Sequence, residues 1–204
     1  MSRLTLAAGV VVLALATGAS ADVVFNNFGA GDAYNTGTGY TISAGAPINT
    51  DWDQGNSFVV TGDTYSLTSI EVAIGYVTGT NMVTFTLHED NAGVPGNVLE
   101  SFDFVNMGPF GNNNAPMEGA SVANPTLQEG STYWLIASSA NNSWLAWNLN
   151  SIGDTRPRAA RQNLGPWGVN NDTSAVFRIN GVVPAPGALA LLGVGLLGVR
   201  RRRS

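Results

Sequence analysis

The stretch Ser69-Ile-Glu-Val-Ala-Ile-Gly-Tyr76, followed five residues later by Met82-Val-Thr-Phe-Thr-Leu-His88, decides the fold class. The first places Ile70, Val72, Ile74 and Tyr76 on one face, the second Val83, Phe85 and Leu87 on another. A period of two is that of a strand with one face against a core. Residues 98–105, 132–137, 143–148 and 174–179 carry further strand signals, separated by segments rich in Gly, Asn, Asp and Pro. Nothing between 22 and 181 offers a helical stripe, and no exact internal repeat stands out. Many short strands with closely spaced turns predict an all-β chain, an antiparallel jelly-roll-like β-sandwich of two packed sheets. Residues 107–116 read as a surface loop, and residues 154–168 as an irregular segment crossing a sheet edge.

Both ends of the chain differ from this middle. Met1-Ser2-Arg3, an apolar run from Leu4 to Ala16 and the A-x-A pattern at Ala19 and Ala21 follow in the order of a signal peptide. Cleavage by signal peptidase is expected after Ala21, leaving Asp22 as the mature N-terminus. At the other end, Gly187 to Val199 carries no charge, and as a helix it rises about 20 Å, short of a roughly 30 Å hydrocarbon core. Pro184 and Pro186 stand before it, where proline suits a helix's first turn. Arg200, Arg201, Arg202 and Arg203 follow it and hold that end on the cytoplasmic side. The chain therefore divides into a signal peptide (1–21), a β-sandwich domain (22–181) and a tail (182–204) with a short hydrophobic helix that contacts the membrane at least transiently.

Charge and composition narrow the partners. All fourteen acidic residues lie between 22 and 181, against four arginines and no lysine, a formal charge of −10. Phosphate backbones would repel such a domain, which excludes nucleic acid as a partner. The chain has no cysteine, so disulfides, a thiolate nucleophile and Cys-ligated zinc are ruled out, and the domain relies on its packed core. That combination suits a bacterial envelope protein.

Val183-Pro184-Ala185-Pro186-Gly187, the apolar stretch and the terminal arginines resemble the PEP-CTERM sorting signal of bacteria. The resemblance implies that an exosortase, a membrane-embedded cysteine transpeptidase, recognises the proline motif and removes the tail, typically in cells that make exopolysaccharide. It implies a product delivered to the envelope, surface or extracellular matrix, from a precursor anchored with its domain outside. Ala185 stands where that family most often has glutamate. Two internal segments carry a second resemblance. His88-Glu-Asp-Asn-Ala-Gly-Val-Pro-Gly-Asn-Val-Leu-Glu-Ser101 and Leu127-Gln-Glu-Gly-Ser-Thr-Tyr-Trp-Leu135 look like two strand motifs of the choice-of-anchor family of bacterial surface domains, R type. That family implies a β-sandwich and adds nothing on mechanism.

The candidate site residues are few. His88 is the single histidine, and neither G-x-S-x-G nor H-E-x-x-H accompanies it, so a structural imidazole is expected and no catalytic residue is assigned. Asp51 with Asp53, or Glu89 with Asp90, could be weighed as glycosidase acids or calcium ligands, but sequence neighbours establish neither geometry. Solvated loop acids are the expectation, with no metal and no cofactor. Tryptophan is the better clue, because sugar rings stack on indoles. Trp134 reads as buried. Trp144 and Trp147, three apart, cannot share a face of a regular strand. The outward one, with Trp52 and Trp167, is the candidate glycan-contacting patch. The sequence thus points to a secreted, non-enzymatic surface or matrix protein of structural or adhesive type. The alternatives are a carbohydrate-binding module contacting exopolysaccharide through exposed tryptophans, and a glycan hydrolase.

Overall fold

The computed structural model describes residues 21–46, 48–139 and 142–184. Their strands are β1 (Asp22–Asn26), β2 (Asn35–Ala44), β3 (Trp52–Val59), β4 (Tyr65–Val72), β5 (Ile74–Gly79), β6 (Met82–Asn91) and β7 (Val94–Val105). They continue through β8 (Met117–Ala120), β9 (Thr126–Leu127), β10 (Thr132–Ser139), β11 (Ser143–Leu149), β12 (Thr155–Gln162), β13 (Gly168–Thr173) and β14 (Phe177–Val182). A five-stranded sheet runs β1-β14-β4-β8, with β9 also on β4. A nine-stranded sheet runs β5-β11-β2-β3-β10-β6-β7, with β12 on β3 and β13 on β12. The strand pairs are antiparallel, and the two sheets enclose one core as a β-sandwich, as the periodicity predicts.

The core takes its residues from alternating positions on both walls. Val83, Phe85 and Leu87 of β6 and Leu135 of β10 come from the larger sheet, and Leu67, Ile70, Val72, Phe177 and Ile179 from the smaller; all are fully buried. Each such side chain contributes about 1.5–3 kcal/mol by leaving water. Phe85 meets the Trp147 ring edge-on at 4.9 Å and the Phe104 ring at 5.7 Å, a favoured aromatic geometry.

Residues 69–76, read from sequence as one strand, are two. The chain leaves the five-stranded sheet after Val72 and enters the nine-stranded sheet at Ile74, with Ala73 at the corner accepting the Asn148 amide. The apolar period survives the switch because both walls face the same core, so Ile70, Val72 and Ile74 stay buried. Residues 107–116 do more than loop over the surface. The Tyr76 amide donates to Gly108 and the Phe110 amide to Tyr76, which covers the outer edge of β5, and Met107 is buried. Gly75 permits this approach: a Cβ there would lie 2.6 Å from the Phe110 Cα. Covering an edge in this way blocks strand addition by other chains.

Residues 154–168 depart furthest from expectation. They form β12 and the start of a hairpin with β13, and β12 pairs Arg158–Gln162 with Trp52–Asn56 of β3. The side chains that seat this strand are arginines, which hydrophobic periodicity does not register. Arg156 makes two 2.8 Å bonds to Asp154 and lies 4.3 Å over the Phe25 ring. Arg158 bonds Gln54 at 2.8 Å and stacks 3.9 Å over Tyr40. Arg161 pairs with Asp53 at 2.7 Å and covers Trp167 at 4.4 Å. Apolar stems packed on rings with the cation held by a carboxylate make a strand of this composition stable.

Candidate functional site

The two ends of the domain leave from one place. Asp22 at the start of β1 is the register partner of Gly181 near the end of β14, so the segment after the expected signal cleavage and the segment entering the tail lie side by side. Ala21, Val183 and Pro184 are exposed. Ala19, Ala185, Pro186, Gly187 and Arg200 to Arg203, together with the predicted apolar helix, lie outside the described residues. At the other end of the β1–β14 ladder, buried Asn27 ties the strands to the core: its side-chain amide donates to Asp154, Ser174 and the Ala175 carbonyl, and its oxygen accepts from the Phe177 amide at 2.8 Å.

Residues 182–204 match the PEP-CTERM protein-sorting motif. The PEP-CTERM motif implies export, cell-surface sorting and processing by exosortase. It begins on Val182, the last residue of β14, so the tail starts where the sandwich stops. No curated protein matches the chain.

The tryptophans do not assemble as the sequence suggests. Trp147 points into the core, fully buried, with its indole nitrogen donating 2.9 Å to the Val176 carbonyl, and so is removed from any glycan-contacting patch. The reason is the strand period: Leu145 and Trp147 share the inner face of β11, and Trp144 turns outward, half-buried. Trp144 and Trp52 are both register partners of Ser43, one row across β11, β2 and β3. Trp167 sits elsewhere, on the hairpin, packed on Trp134, Ile136 and Ala159 with the Arg161 guanidinium over its ring. Trp134 is buried, as expected, and its indole nitrogen donates 2.7 Å to Asp90.

The candidate acids are engaged within the fold. Asp51 accepts from the Gly45 amide, Asp53 pairs with Arg161, and Glu89 accepts from Asn97 at 3.3 Å. Asp90 accepts from Trp134 with one oxygen and from the Gly93 amide with the other, closing the β6–β7 turn. Among the described residues no group of three or more His, Asp or Glu side chains could hold a metal ion. His88 is half-buried, 2.8 Å from the Gly96 carbonyl through Nδ1 and 2.8 Å from Thr86 Oγ1 through Nε2. A carbonyl only accepts, so Nδ1 carries the proton and Nε2 accepts from the hydroxyl in the neutral ring. Burial lowers its pKa, opposed by the Gly96 bond and aided by the charge on Arg161.

Sequence reasoning missed a groove on the nine-stranded sheet. It has a volume of about 420 Å³ and is lined by Ser57, Thr132, Trp134 and Pro157, with Asp90 and Gly93 of the β6–β7 turn along one side and Val169, Asn170 and Asn171 of β13 along the other. No periodicity or motif signals it, because its walls come from five segments, two of them the strands of the hairpin that the sequence reading left irregular.

Proposed function

We propose that the chain is a secreted, exosortase-sorted protein of the bacterial envelope or extracellular matrix, structural or adhesive in type and without enzymatic activity. The observation that carries this reading is the PEP-CTERM motif starting at the last core strand, so that removal of the tail leaves the sandwich whole. The precursor stands with its domain outside and its arginines on the cytoplasmic side, held transiently by a helix too short to anchor it comfortably. The reading without catalysis is supported by the ring nitrogens of His88 and by the acids at 51, 53, 89 and 90, which are tied into turns, ion pairs and strand contacts.

We further propose that the sandwich is a choice-of-anchor R type domain. In support, the two segments that carry the resemblance fall on paired strands: residues 88–101 form the β6–β7 hairpin, and residues 127–135 run into β10 beside β6. A residue of one motif bonds a residue of the other, Trp134 to Asp90.

The test is the intact mass of the protein recovered from cells with and without exosortase activity. The expected product begins at Asp22 and has lost its C-terminal tail only where the exosortase is active. The same full-length C-terminus in both strains rejects the reading.

A further inference from the structure

The groove between β13 and the β6–β7 turn has a chemistry that points to one class of ligand. Its volume falls in the range of small-molecule sites. Asn171 is exposed on β13 in register with Pro157, and its amide offers two donors and a carbonyl acceptor; Asn170, in register with Arg158, turns to the other face of the strand. Opposite Asn171 the Asp90 carboxylate, already held by Trp134 and Gly93, keeps lone pairs free for further donors, and Thr132 adds a hydroxyl. Between these polar groups lie the exposed Pro157 and Val169, over a floor that includes the buried Trp134. No arginine lines the groove, and the domain around it carries a formal charge of −10. An anionic ligand would therefore meet a carboxylate with no cation to offset it. A peptide would need deep apolar pockets for its side chains, whereas the apolar surface here is shallow and the polar groups are side chains from separate segments.

We propose that this groove binds a neutral saccharide, the Asp90 carboxylate, the Asn171 amide and the Thr132 hydroxyl bonding its hydroxyls while Pro157 and Val169 contact its ring faces. The sugar surface is then the groove and not the Trp144–Trp52 row. That the saccharide is an extracellular one rests on the export reading above. Binding in solution does not, so an unprocessed C-terminus would overturn that reading and leave this one standing.

Calorimetry on the protein as recovered from cells, titrated with neutral glucan, mannan and galactan oligosaccharides, with oligogalacturonate and with a strand-forming peptide, tests the proposal. At least one neutral oligosaccharide binds, and the Asn171→Ala variant binds it roughly fivefold more weakly through a lost hydrogen bond. The Asn171 side chain is exposed, so the variant keeps its thermal midpoint, and Asn170→Ala, on the opposite face of the strand, and Trp144→Ala bind as the parent does. The proposal falls if no neutral oligosaccharide binds at millimolar concentration, or if oligogalacturonate or the peptide binds more tightly. It falls equally if Asn171→Ala binds as tightly as the parent, whatever Trp144→Ala does.

Discussion

The wall formed by β6 and β10 and the hairpin formed by β12 and β13 belong to the same sheet yet are held by different physics. In the wall, Val83, Phe85 and Leu87 of β6 alternate into the core and Tyr133 to Ala137 of β10 are buried on both faces, and its stability comes from area removed from water and from ring-on-ring packing. In the hairpin, the seated residues are Arg156, Arg158 and Arg161, each over an aromatic ring and within reach of an acid. The difference teaches that a strand can be as well seated by cations on rings as by aliphatic side chains. It also predicts that the two regions respond differently to truncation, to acid and to salt.

The largest effect is expected in the wall. Phe85→Ala removes a fully buried ring from between Trp147 and Phe104 and should cost about 3–5 kcal/mol, read from urea unfolding. That loss should be nearly independent of salt. A loss below about 1 kcal/mol would mean that the core repacks around the vacancy, and the contrast with the hairpin would fail.

The hairpin should respond next. Arg156→Ala leaves Asp154 without its bidentate partner and should cost about 2 kcal/mol, less than a fully enclosed pair because both side chains are about a fifth exposed. Desolvation raises the Asp154 pKa, but hydrogen bonds from Arg156 and Asn27 and the charge on Arg156 outweigh it and hold the carboxyl below its ordinary value. A carboxyl with a lowered folded pKa stabilises fully above its unfolded pKa of about 3.9 and loses that contribution as pH falls toward the folded value. The gap between parent and Arg156→Ala should therefore narrow on acidification below about pH 4. A gap that stays constant to pH 2 would assign the arginine's role to its packing on Phe25.

These two regions also explain how much was legible. The sandwich, its core face on β6 and the inward set of Trp147 or Trp144 followed from alternation, because aliphatic and aromatic side chains announce burial by type. The sheet switch at Ala73 was invisible, since one apolar face serves either wall. The hairpin was invisible because arginine is read as exposed until an acid and a ring are found beside it, and those partners, Asp53 and Trp167 among them, come from elsewhere in the sequence or from a turn. The groove inherits that blindness. The sorting motif of the tail, by contrast, was readable, since a proline pattern, an apolar run and terminal arginines form a local signature that needs no fold.

A smaller effect separates the two regions by pH. His88 stands on the wall with its pKa lowered first by burial. For a base shifted this way the unfolded chain binds the extra proton first, so stability is complete above the unfolded pKa of about 6.5 and declines as pH falls through it toward the folded value. Parent protein should lose stability between pH 7 and pH 5, and His88→Gln should flatten that segment of the curve without altering the steeper loss below pH 4. An unchanged slope in the variant would move the effect to another group.

The smallest effect lies in the turn that ends the wall. Asn91 and Val94 pair across a two-residue connection in which Ala92 has φ 54° and Gly93 φ 88°. Positive φ at both positions is the pattern of a type I′ hairpin turn, whose twist matches that of the strands it joins and which favours Asn-Gly. Glycine takes the second position without strain, but alanine at the first places a Cβ against a neighbouring carbonyl, a cost of about 1–2 kcal/mol in the left-handed region. Ala92→Asn keeps the chain's conformational restriction and replaces the strained residue with one that tolerates that region, so it should stabilise the protein by about 0.5–1 kcal/mol. Ala92→Gly relieves the same strain but enlarges the freedom of the unfolded chain, and should gain less. If thermal unfolding ranks glycine above asparagine, backbone strain outweighs chain entropy at this turn; if both variants lose stability, the alanine methyl makes a contact that compensates for its conformation.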